Sequence, residues 1–457
     1  MRKNIDMLHG PLYSEILRYS IPVMLTSIIQ LLFNAADLVI VGQYCGSITV
    51  GAVSATGSII NLMVNLFIGL SMGVGVNVAH GLGSKQDDEV HRTVHTALPT
   101  ALVGGALLTI LGIIFADDLL KMMKTPPNVL PLAALYMRIY FSGIIFTLVY
   151  NYCASILRAA GDTKSPLIYL TISGTINVIL NIFFVTVFHM SVDGVALATI
   201  ISQAVSAVLV VIALMRRTDA CKLYWRKIHF YRKQFIKTLS IGLPAGLQST
   251  LFNIANVTIQ SSINSFGSDA LLSGNGSAAN IEGFVYVIQN SFLQTSVNFV
   301  GQNAGAHQFD RIKKIFVICL GYVTLFGFAA GFTVWLFGEQ LLSIYITDSA
   351  DAISYGLIRF NYIALPYFLA GLMEVTTGAL RGLGSSLIPM IISLLGACGF
   401  RILWIYTIFQ IPQYHSLPCL YQSYPISWIL TFVLQTIAFI LIYNKKAKKA
   451  QLFVHKA

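Results

Sequence analysis

The chain has 457 residues, of which 56% are hydrophobic and 10% are charged, and its mean hydropathy is +0.74. Soluble domains carry about 25% charged residues, so this composition excludes an ordinary soluble enzyme and a disordered chain. The formal net charge of +11 would fit a nucleic-acid partner. The positive charges lie in loops between long apolar runs, however, so we expect no nucleic acid as a partner.

Long charge-poor runs follow one another along the whole chain. Each run is long enough for a helix that crosses a hydrocarbon core of about 30 Å, which needs roughly 20 residues. The sequence therefore predicts an all-α polytopic membrane protein with twelve transmembrane helices. The predicted spans are 16–40, 51–79, 94–116, 131–155, 166–188, 194–215, 238–264, 277–301, 314–337, 355–379, 387–410 and 424–443.

Lysine and arginine are distributed unevenly among the loops between these spans. Of the 29, 24 fall on one side of the membrane, and the exceptions are Lys121, Lys124, Arg138, Arg359 and Arg401. Positively charged loops tend to remain in the cytoplasm. We therefore expect a multi-pass protein of the cytoplasmic membrane with both termini in the cytoplasm. Contact of this basic surface with anionic membrane lipid accounts for the net charge.

The two halves of the chain resemble each other. Residues 157–166 (LRAAGDTKSP) are matched in the second half by 380–389 (LRGLGSSLIP), and residues 32–37 (LFNAAD) are matched by 251–256 (LFNIAN) at nearly the same interval. An even number of helices in each half makes the repeat parallel, an arrangement common among transporters. The predicted organisation is a six-helix N-terminal lobe, a cytoplasmic basic linker and a six-helix C-terminal lobe with a basic tail, at 1–215, 216–237 and 238–457.

Three motifs carry a family resemblance. The L-R-x-x-G-D-T-x-x-P loop at 157–166, its degenerate copy at 380–389 and the F-N-x-x-D stretch at 33–37 resemble the MATE (multidrug and toxic compound extrusion) family of the MOP flippase superfamily. The resemblance covers residues 12–443. It implies a multidrug efflux transporter in which an acid on the first helix couples transport to proton or sodium entry. Asp37 occupies that position.

Asp37 is one of three carboxylates well inside a predicted span, with Glu282 and Glu374. A charged residue at membrane depth costs at least about 2.5–3.5 kcal/mol, so each of the three is a functional hypothesis. Gln30, Asn34 and Asp37 follow one helix face at i, i+4 and i+7. We expect this face to line a cavity, because lipid cannot satisfy its hydrogen bonds. The alternative is that Asp37 only bonds a neighbouring helix.

The fifth predicted span adds two amides, Asn177 and Asn181, on one helix face. The family resembled frequently has an aspartate where this chain has Asn181. The loss of that negative charge argues against a tight sodium site and favours a proton on Asp37, although both ions remain open. In the alternative interpretation the amides only hold helices together.

Polar residues in the second half suit a different task. Asp37 is replaced there by Asn256, and the other two buried acids likewise face amides at equivalent positions of the first half. We hypothesise that the N-terminal lobe couples the ion and the C-terminal lobe contacts a cationic substrate, with structural support as the alternative role for Glu282 and Glu374. The candidate cavity residues of the C-terminal lobe are Asn253, Asn256, Gln260, Glu282, Tyr286, Glu374 and Arg401.

Three arginines need an explanation of their own. Arg401 is predicted to be the only arginine well inside a span, where it pairs with a buried carboxylate or with backbone carbonyls; contact with an anionic substrate is the alternative. Arg158 and Arg381 lie on equivalent cytoplasmic loops. Their guanidinium groups either satisfy carbonyls at helix ends or act as latches between the lobes.

Other chemistries lack a motif in this sequence. It contains no G-x-x-x-x-G-K-[ST] loop, so we expect no nucleotide as partner or energy source. Histidines and cysteines show no metal-ligand spacing, and no nucleophile and base form a set. We therefore expect no metal, no cofactor and no enzymatic activity, and a monomer.

The sequence favours a secondary active exporter that moves amphipathic organic cations outward in exchange for H⁺ or Na⁺, and so confers resistance to antibiotics and other xenobiotics. The alternative is a lipid-linked oligosaccharide flippase of the same superfamily. Such flippases usually carry additional helices and a cationic cavity, whereas the deep charges of this chain are mainly acidic.

Overall fold

The computed structural model describes residues 5–347 and 349–454, apart from the side chains of residues 47, 453 and 454. The predicted orientation in the membrane also rests on four charged residues that lie outside the described ranges: Arg2, Lys3, Asp348 and Lys456.

Every regular element in the described ranges is a helix. The first half contains α1 (Leu12–Cys45), α2 (Ser47–Gly83), α3 (Asp87–Ile114), α4 (Ala116–Met122), α5 (Leu130–Ser142), α6 (Ile144–Ala159), α7 (Lys164–Thr186) and α8 (Val192–Met215).

The second half repeats this order with more interruptions. It contains α9 (Arg232–Asn264), α10 (Asp269–Gly305), α11 (Phe309–Leu336), α12 (Gly338–Ser343), α13 (Ala350–Arg359), α14 (Phe368–Gly382), α15 (Leu387–Ser393), α16 (Phe400–Tyr406) and α17 (Leu417–Val454). Two π-helical segments, Phe360–Ala364 and Leu394–Gly399, connect α13 towards α14 and α15 to α16. Such segments are rare and occur frequently at functional sites.

Twelve transmembrane helices account for the described chain, as predicted. Nine helical segments are long and apolar enough to cross a membrane, and α5 and α6 together form a tenth span that bends by 47°. The other two spans are α9 and α10, which have 33 and 37 residues and are of spanning length but more polar. Part of this polarity comes from Asn253, Asn256 and Gln260, three of the predicted cavity residues.

The internal repeat is visible in the backbone of the turns. After α6, Gly161 has a φ of +82° and donates its N–H to the carbonyl of Arg158; after α14, Gly384 has a φ of +81° and donates to the carbonyl of Arg381. Glycine suits these positions because it adopts positive φ at little steric cost. Equivalent turns of the two halves therefore share one conformation, which confirms the predicted duplication.

The chain packs as two compact units. Unit 1 is Met1–Ile5 with Leu25–Gly246, and unit 2 is Asp6–Met24 with Leu247–Ala457. The two boundaries inside helices follow Pro22 and Pro244 by two residues, and proline inside a helix removes a backbone hydrogen bond. The units therefore differ from the predicted lobes at residues 6–24 and 216–246.

Close helix packing explains why the beginning of α9 belongs to unit 1. A Cβ atom at Gly69 of α2 would lie 2.2 Å from the backbone nitrogen of Gly246, and one at Gly73 would lie 2.4 Å from the carbonyl oxygen of Thr238. Asn77 of α2 also donates its side-chain N–H to the hydroxyl of Thr238 at 3.1 Å. Only residues without side chains allow two helices to approach this closely.

The basic segment predicted as the linker, 216–237, packs on the first half of α3 in unit 1, and its last residues form the start of α9. The backbone N–H of Tyr224 donates to Nε2 of the buried His95 at 3.0 Å. Lys233 and Lys237 both pair with Glu89, at 3.1 and 2.6 Å. The segment predicted as a linker is therefore part of the packing of unit 1, because its backbone and lysines find partners there.

Candidate functional site

The carboxylate of Asp37 is half-buried against α7 in unit 1. Its Oδ1 accepts a hydrogen bond from Nδ2 of Asn181 at 2.6 Å. Gln30 and Asn34 on the same face of α1 are exposed. The structure thus brings Asp37 to the predicted amides of the fifth span and leaves its two neighbours on α1 uncovered.

The two amides of α7 continue the contact into unit 1. Both Asn177 and Asn181 are buried, and Nδ2 of Asn181 also lies 3.3 Å from Oδ1 of Asn177. Asn177 in turn donates to the hydroxyl of Thr199 on α8 at 3.5 Å. The Oδ1 atom of Asn181 is buried and accepts no hydrogen bond from the described residues. Asp37 therefore lies at one end of a hydrogen-bonded row of amides, in which one acceptor, Oδ1 of Asn181, has no donor among the described residues.

A glycine allows α1 to approach α7 at this point. An ideal Cβ atom built at Gly174 would lie 1.7–2.3 Å from three ring atoms of Phe33. Phe33 precedes Asp37 by about one helical turn, and Gly174 precedes Asn181 by two. The absence of a side chain at position 174 lets the ring of Phe33 fit against α7, which holds Asp37 within reach of Asn181.

Glu282 of unit 2 is held by an arginine. Its two carboxylate oxygens accept from Nε and Nη2 of Arg359, at 3.0 and 2.7 Å, which is a bidentate pair. Asn275 accepts from Nη1 of Arg359 at 2.7 Å and from the hydroxyl of Tyr421 at 3.0 Å. Asn275 also donates to Gln260 at 3.1 Å. Charge neutralisation within the cluster therefore accounts for this buried acid.

Arg359 corrects the prediction that Arg401 is the only arginine well inside a span. The span Ala350–Gly382 contains Arg359, whose side chain is buried. Sequence reasoning missed it, together with Asn275 and Tyr421, because it placed the beginning of this span too close to position 359. One feature of the sequence could have indicated it: Arg359 is the single arginine of α13, and the other charged residue of this helix, Asp351, lies in its first turn.

Glu374 and Tyr286 lie near each other in unit 2, and Glu374 is also within electrostatic range of Arg381. Arg381 is buried and donates from Nη2 to Oε1 of Gln248 at 2.9 Å. Its counterpart Arg158 is half-buried at the end of α6. These surroundings do not test the predicted role of Arg158 and Arg381 as latches, so that role stays a prediction.

Arg401 has no acidic partner among residues 5–347 and 349–454. Its Nε donates to the hydroxyl of Ser427 at 2.9 Å, and its Cζ lies 4.1 Å from the ring centroid of Tyr424. A hydroxyl and an aromatic face therefore occupy the place where the sequence predicted a carboxylate or backbone carbonyls. Asn253 and Asn256 of α9 are exposed.

Comparison with known proteins supports this architecture. The MatE family model matches residues 22–183 and matches a second time at residues 244–407, so each half carries one copy. Two similar proteins of Bacillus subtilis (strain 168) are the probable multidrug resistance proteins YpnP and YoeA. YpnP is 27% identical over 395 residues, covering 86% of this chain and 87% of its own; YoeA is 25% identical over 438 residues, covering 94% and 93%.

The fold is that of solved MATE structures. A multidrug resistance MATE family transporter of the MOP superfamily, in its outward-facing conformation, superposes with a TM-score of 0.91 at 20% identity, over 98% of this chain and 99% of that chain. A likeness at this identity establishes the fold. Because the family model covers most of the sequence in two successive copies, the chain is a multi-pass membrane protein that belongs to the MATE family of transporters.

Proposed function

We propose that the protein is a secondary active exporter of the cytoplasmic membrane, which moves amphipathic organic cations outward in exchange for entering H⁺ or Na⁺. One observation carries the proposal. Asp37 is bonded to the amide of Asn181, and no cationic side chain pairs with it among residues 5–347 and 349–454.

A carboxylate in this position needs a counter-charge from outside the protein. A negative charge at membrane depth without a partner is unfavourable, and a proton, a sodium ion or the cationic group of a substrate can each neutralise it. A single carboxylate holds one of them at a time. Exchange between an entering ion and a departing cation follows from this competition.

The neighbouring amides support both bound forms. The unpaired Oδ1 of Asn181 accepts a hydrogen bond or coordinates a cation, and Nδ2 of Asn181 stabilises the ionised Asp37. Binding of the ion or of the substrate then shifts the balance between inward- and outward-open states. The membrane potential supplies about 2.3 kcal/mol per charge per 100 mV, in addition to any ion gradient.

Topology and relatives support the direction and the class of cargo. The basic loops favour a cytoplasmic position for both termini, and the two similar Bacillus proteins are named probable multidrug resistance proteins. Both six-helix halves of the repeat lie in one chain, which supports a monomer as the working unit. A transporter of this kind is expected to need no metal, cofactor or nucleotide.

Transport by the purified protein in lipid vesicles tests the proposal. Ethidium movement is measured under a pH gradient and, separately, under a sodium gradient. We expect one of the gradients to drive transport, and Asp37→Asn to abolish it. The matched control is Asp118→Asn, which removes an exposed carboxylate from α4 and should leave transport unchanged.

Two results would contradict the exporter. Ethidium transport that Asp37→Asn leaves intact would remove Asp37 from the mechanism. Movement of a lipid-linked oligosaccharide with no response of ethidium to either gradient would favour the alternative, a flippase of the same superfamily.

A further inference from the structure

Arg401 is a buried cation that has no acidic partner among residues 5–347 and 349–454. The residue is 4% exposed, and no carboxylate lies within ion-pair distance of its guanidinium in the described parts of the chain. The other two buried arginines of unit 2 differ, since Arg359 pairs with Glu282 and Arg381 lies in electrostatic range of Glu374. A buried charge without an opposite charge is strongly unfavourable. The deep charges of unit 2 therefore include one positive charge in excess.

The guanidinium of Arg401 has a free hydrogen-bond donor. Its Nε is occupied by the hydroxyl of Ser427 at 2.9 Å, whereas Nη2 is buried and has no acceptor among the described atoms. The planar guanidinium fork matches the geometry of a carboxylate. An anionic oxygen is the ligand that satisfies both the charge and this donor.

Aromatic side chains surround the same group. The Cζ of Arg401 lies 4.1 Å from the ring centroid of Tyr424 and 5.6 Å from that of Trp428, and the ring of Tyr367 lies 5.2 Å from that of Trp428. Trp428 is buried, whereas Tyr367 and Tyr424 are half-buried, so part of the aromatic cluster is exposed. Stacking on Tyr424 fixes the plane of the guanidinium, and the adjacent rings suit a planar apolar body.

The backbone holds Arg401 in a special position. The π-helical segment Leu394–Gly399 ends two residues before it, and segments of this kind are frequent at functional sites. Within this segment, a Cβ atom at Gly396 would lie 2.5 Å from the hydroxyl of Thr431, about one turn of α17 beyond Ser427. Tight packing of these helices keeps Arg401 and its aromatic neighbours in register.

We propose that Arg401 of unit 2 binds the carboxylate of a planar aromatic compound, with Tyr367, Tyr424 and Trp428 against its ring. This extends the substrate class beyond the organic cations assigned to Asp37, to compounds that carry an acid. It does not depend on ion coupling, because binding is measured on the purified protein in the absence of any gradient.

Equilibrium binding of 2-naphthoate to the full-length protein in lipid nanodiscs, in chloride-free buffer at neutral pH, is the test. The neutral isostere 2-naphthamide has the same ring without the charge. We expect the wild type to bind 2-naphthoate at least about tenfold more tightly than 2-naphthamide, and Arg401→Lys to remove most of this preference because lysine lacks the planar fork. The matched control is Arg138→Lys, an exposed arginine of unit 1, which should bind like the wild type.

The outcomes separate this proposal from the proposed function. Asp37→Asn should bind 2-naphthoate normally although it transports no ethidium. Equal binding of the acid and the amide by the wild type, no binding of either, or an unchanged preference in Arg401→Lys would each overturn the proposal, and none of these results depends on whether the variant transports.

Discussion

Two equivalent arginines lie in opposite environments in the two units. Arg138 and Arg359 are separated along the chain by nearly the same interval as the repeated loops, so they correspond to each other in the two halves. In unit 1, Arg138 pairs with Asp117, and the two side chains are 46% and 40% exposed. In unit 2, Arg359 pairs with Glu282, and the two side chains are 10% and 5% exposed.

The carboxylates show the converse difference. Asp37 of unit 1 is bonded to Asn181, while its counterpart Asn256 is exposed. At the position that corresponds to Asn181, unit 2 has Trp404, which donates its indole N–H to the carbonyl of Cys419 at 3.0 Å. The duplication thus preserves helices and turns, whereas each unit assigns its buried charges separately. Among the residues that the structure describes, Asp37 of unit 1 is an acid without a cationic partner, and Arg401 of unit 2 is a buried cation without an acidic partner.

The largest expected effect, on transport, comes from moving the carboxylate from position 37 of unit 1 to the corresponding position 256 of unit 2. We expect Asp37→Asn to abolish gradient-driven ethidium transport, because the amide cannot carry the negative charge that the entering ion and the departing cation share. Adding Asn256→Asp should not restore it, because position 256 is exposed and lacks the amide chain of α7. Transport by the single and double variants in vesicles measures this. Recovery in the double variant would mean that the two positions are interchangeable.

A smaller effect, on stability, is expected from the two arginine pairs. Arg359→Met leaves Glu282 buried and unpaired, which typically costs about 3–5 kcal/mol, whereas Arg138→Met breaks an exposed pair worth about 0–1 kcal/mol. Thermal unfolding in detergent compares the two variants. The double variant Arg359→Met with Glu282→Gln should regain most of the loss, because it removes both charges. Equal melting temperatures for the two single variants would contradict the contrast between the units.

The smallest effect is expected at the packing of α1 on α7. Gly174→Ala places a methyl group inside the ring of Phe33, and overpacking of this kind costs about 1–3 kcal/mol. We expect a lower melting temperature and weaker transport, since α1 is displaced from Asn181. The double variant Gly174→Ala with Phe33→Leu should regain both the melting temperature and the transport, because the smaller leucine side chain makes room for the methyl group.

Gly283→Ala in α10 of unit 2 is the matched control. No atom lies within 4 Å of a Cβ built there among the described residues, so alanine should stabilise the helix by up to about 1 kcal/mol. A loss of stability at Gly283 equal to that at Gly174 would show that helix packing around Asp37 is not special.

Much of the fold was predictable because it depends on properties that are local in the chain. Hydropathy marks the spans, and the copied loops at 157–166 and 380–389 adopt matching turns around Gly161 and Gly384. Asn177 and Asn181, which their spacing places on one face of α7, are both buried. The same reasoning failed at Arg359, because a helix end that is misplaced by a few residues moves a charge from the membrane to a loop.

The amino-acid sequence by itself determined the class of protein, the number of spans, the duplication and the short list of acids at membrane depth, because hydrophobicity and charge are read residue by residue. Only the tertiary structure decided which of these acids has a counter-charge. Whether a buried carboxylate meets an amide, as Asp37 does, or an arginine, as Glu282 does, depends on which faces of distant helices pack together. The same packing decided that the start of α9 belongs to unit 1 and that Arg401 has an aromatic face instead of an acid.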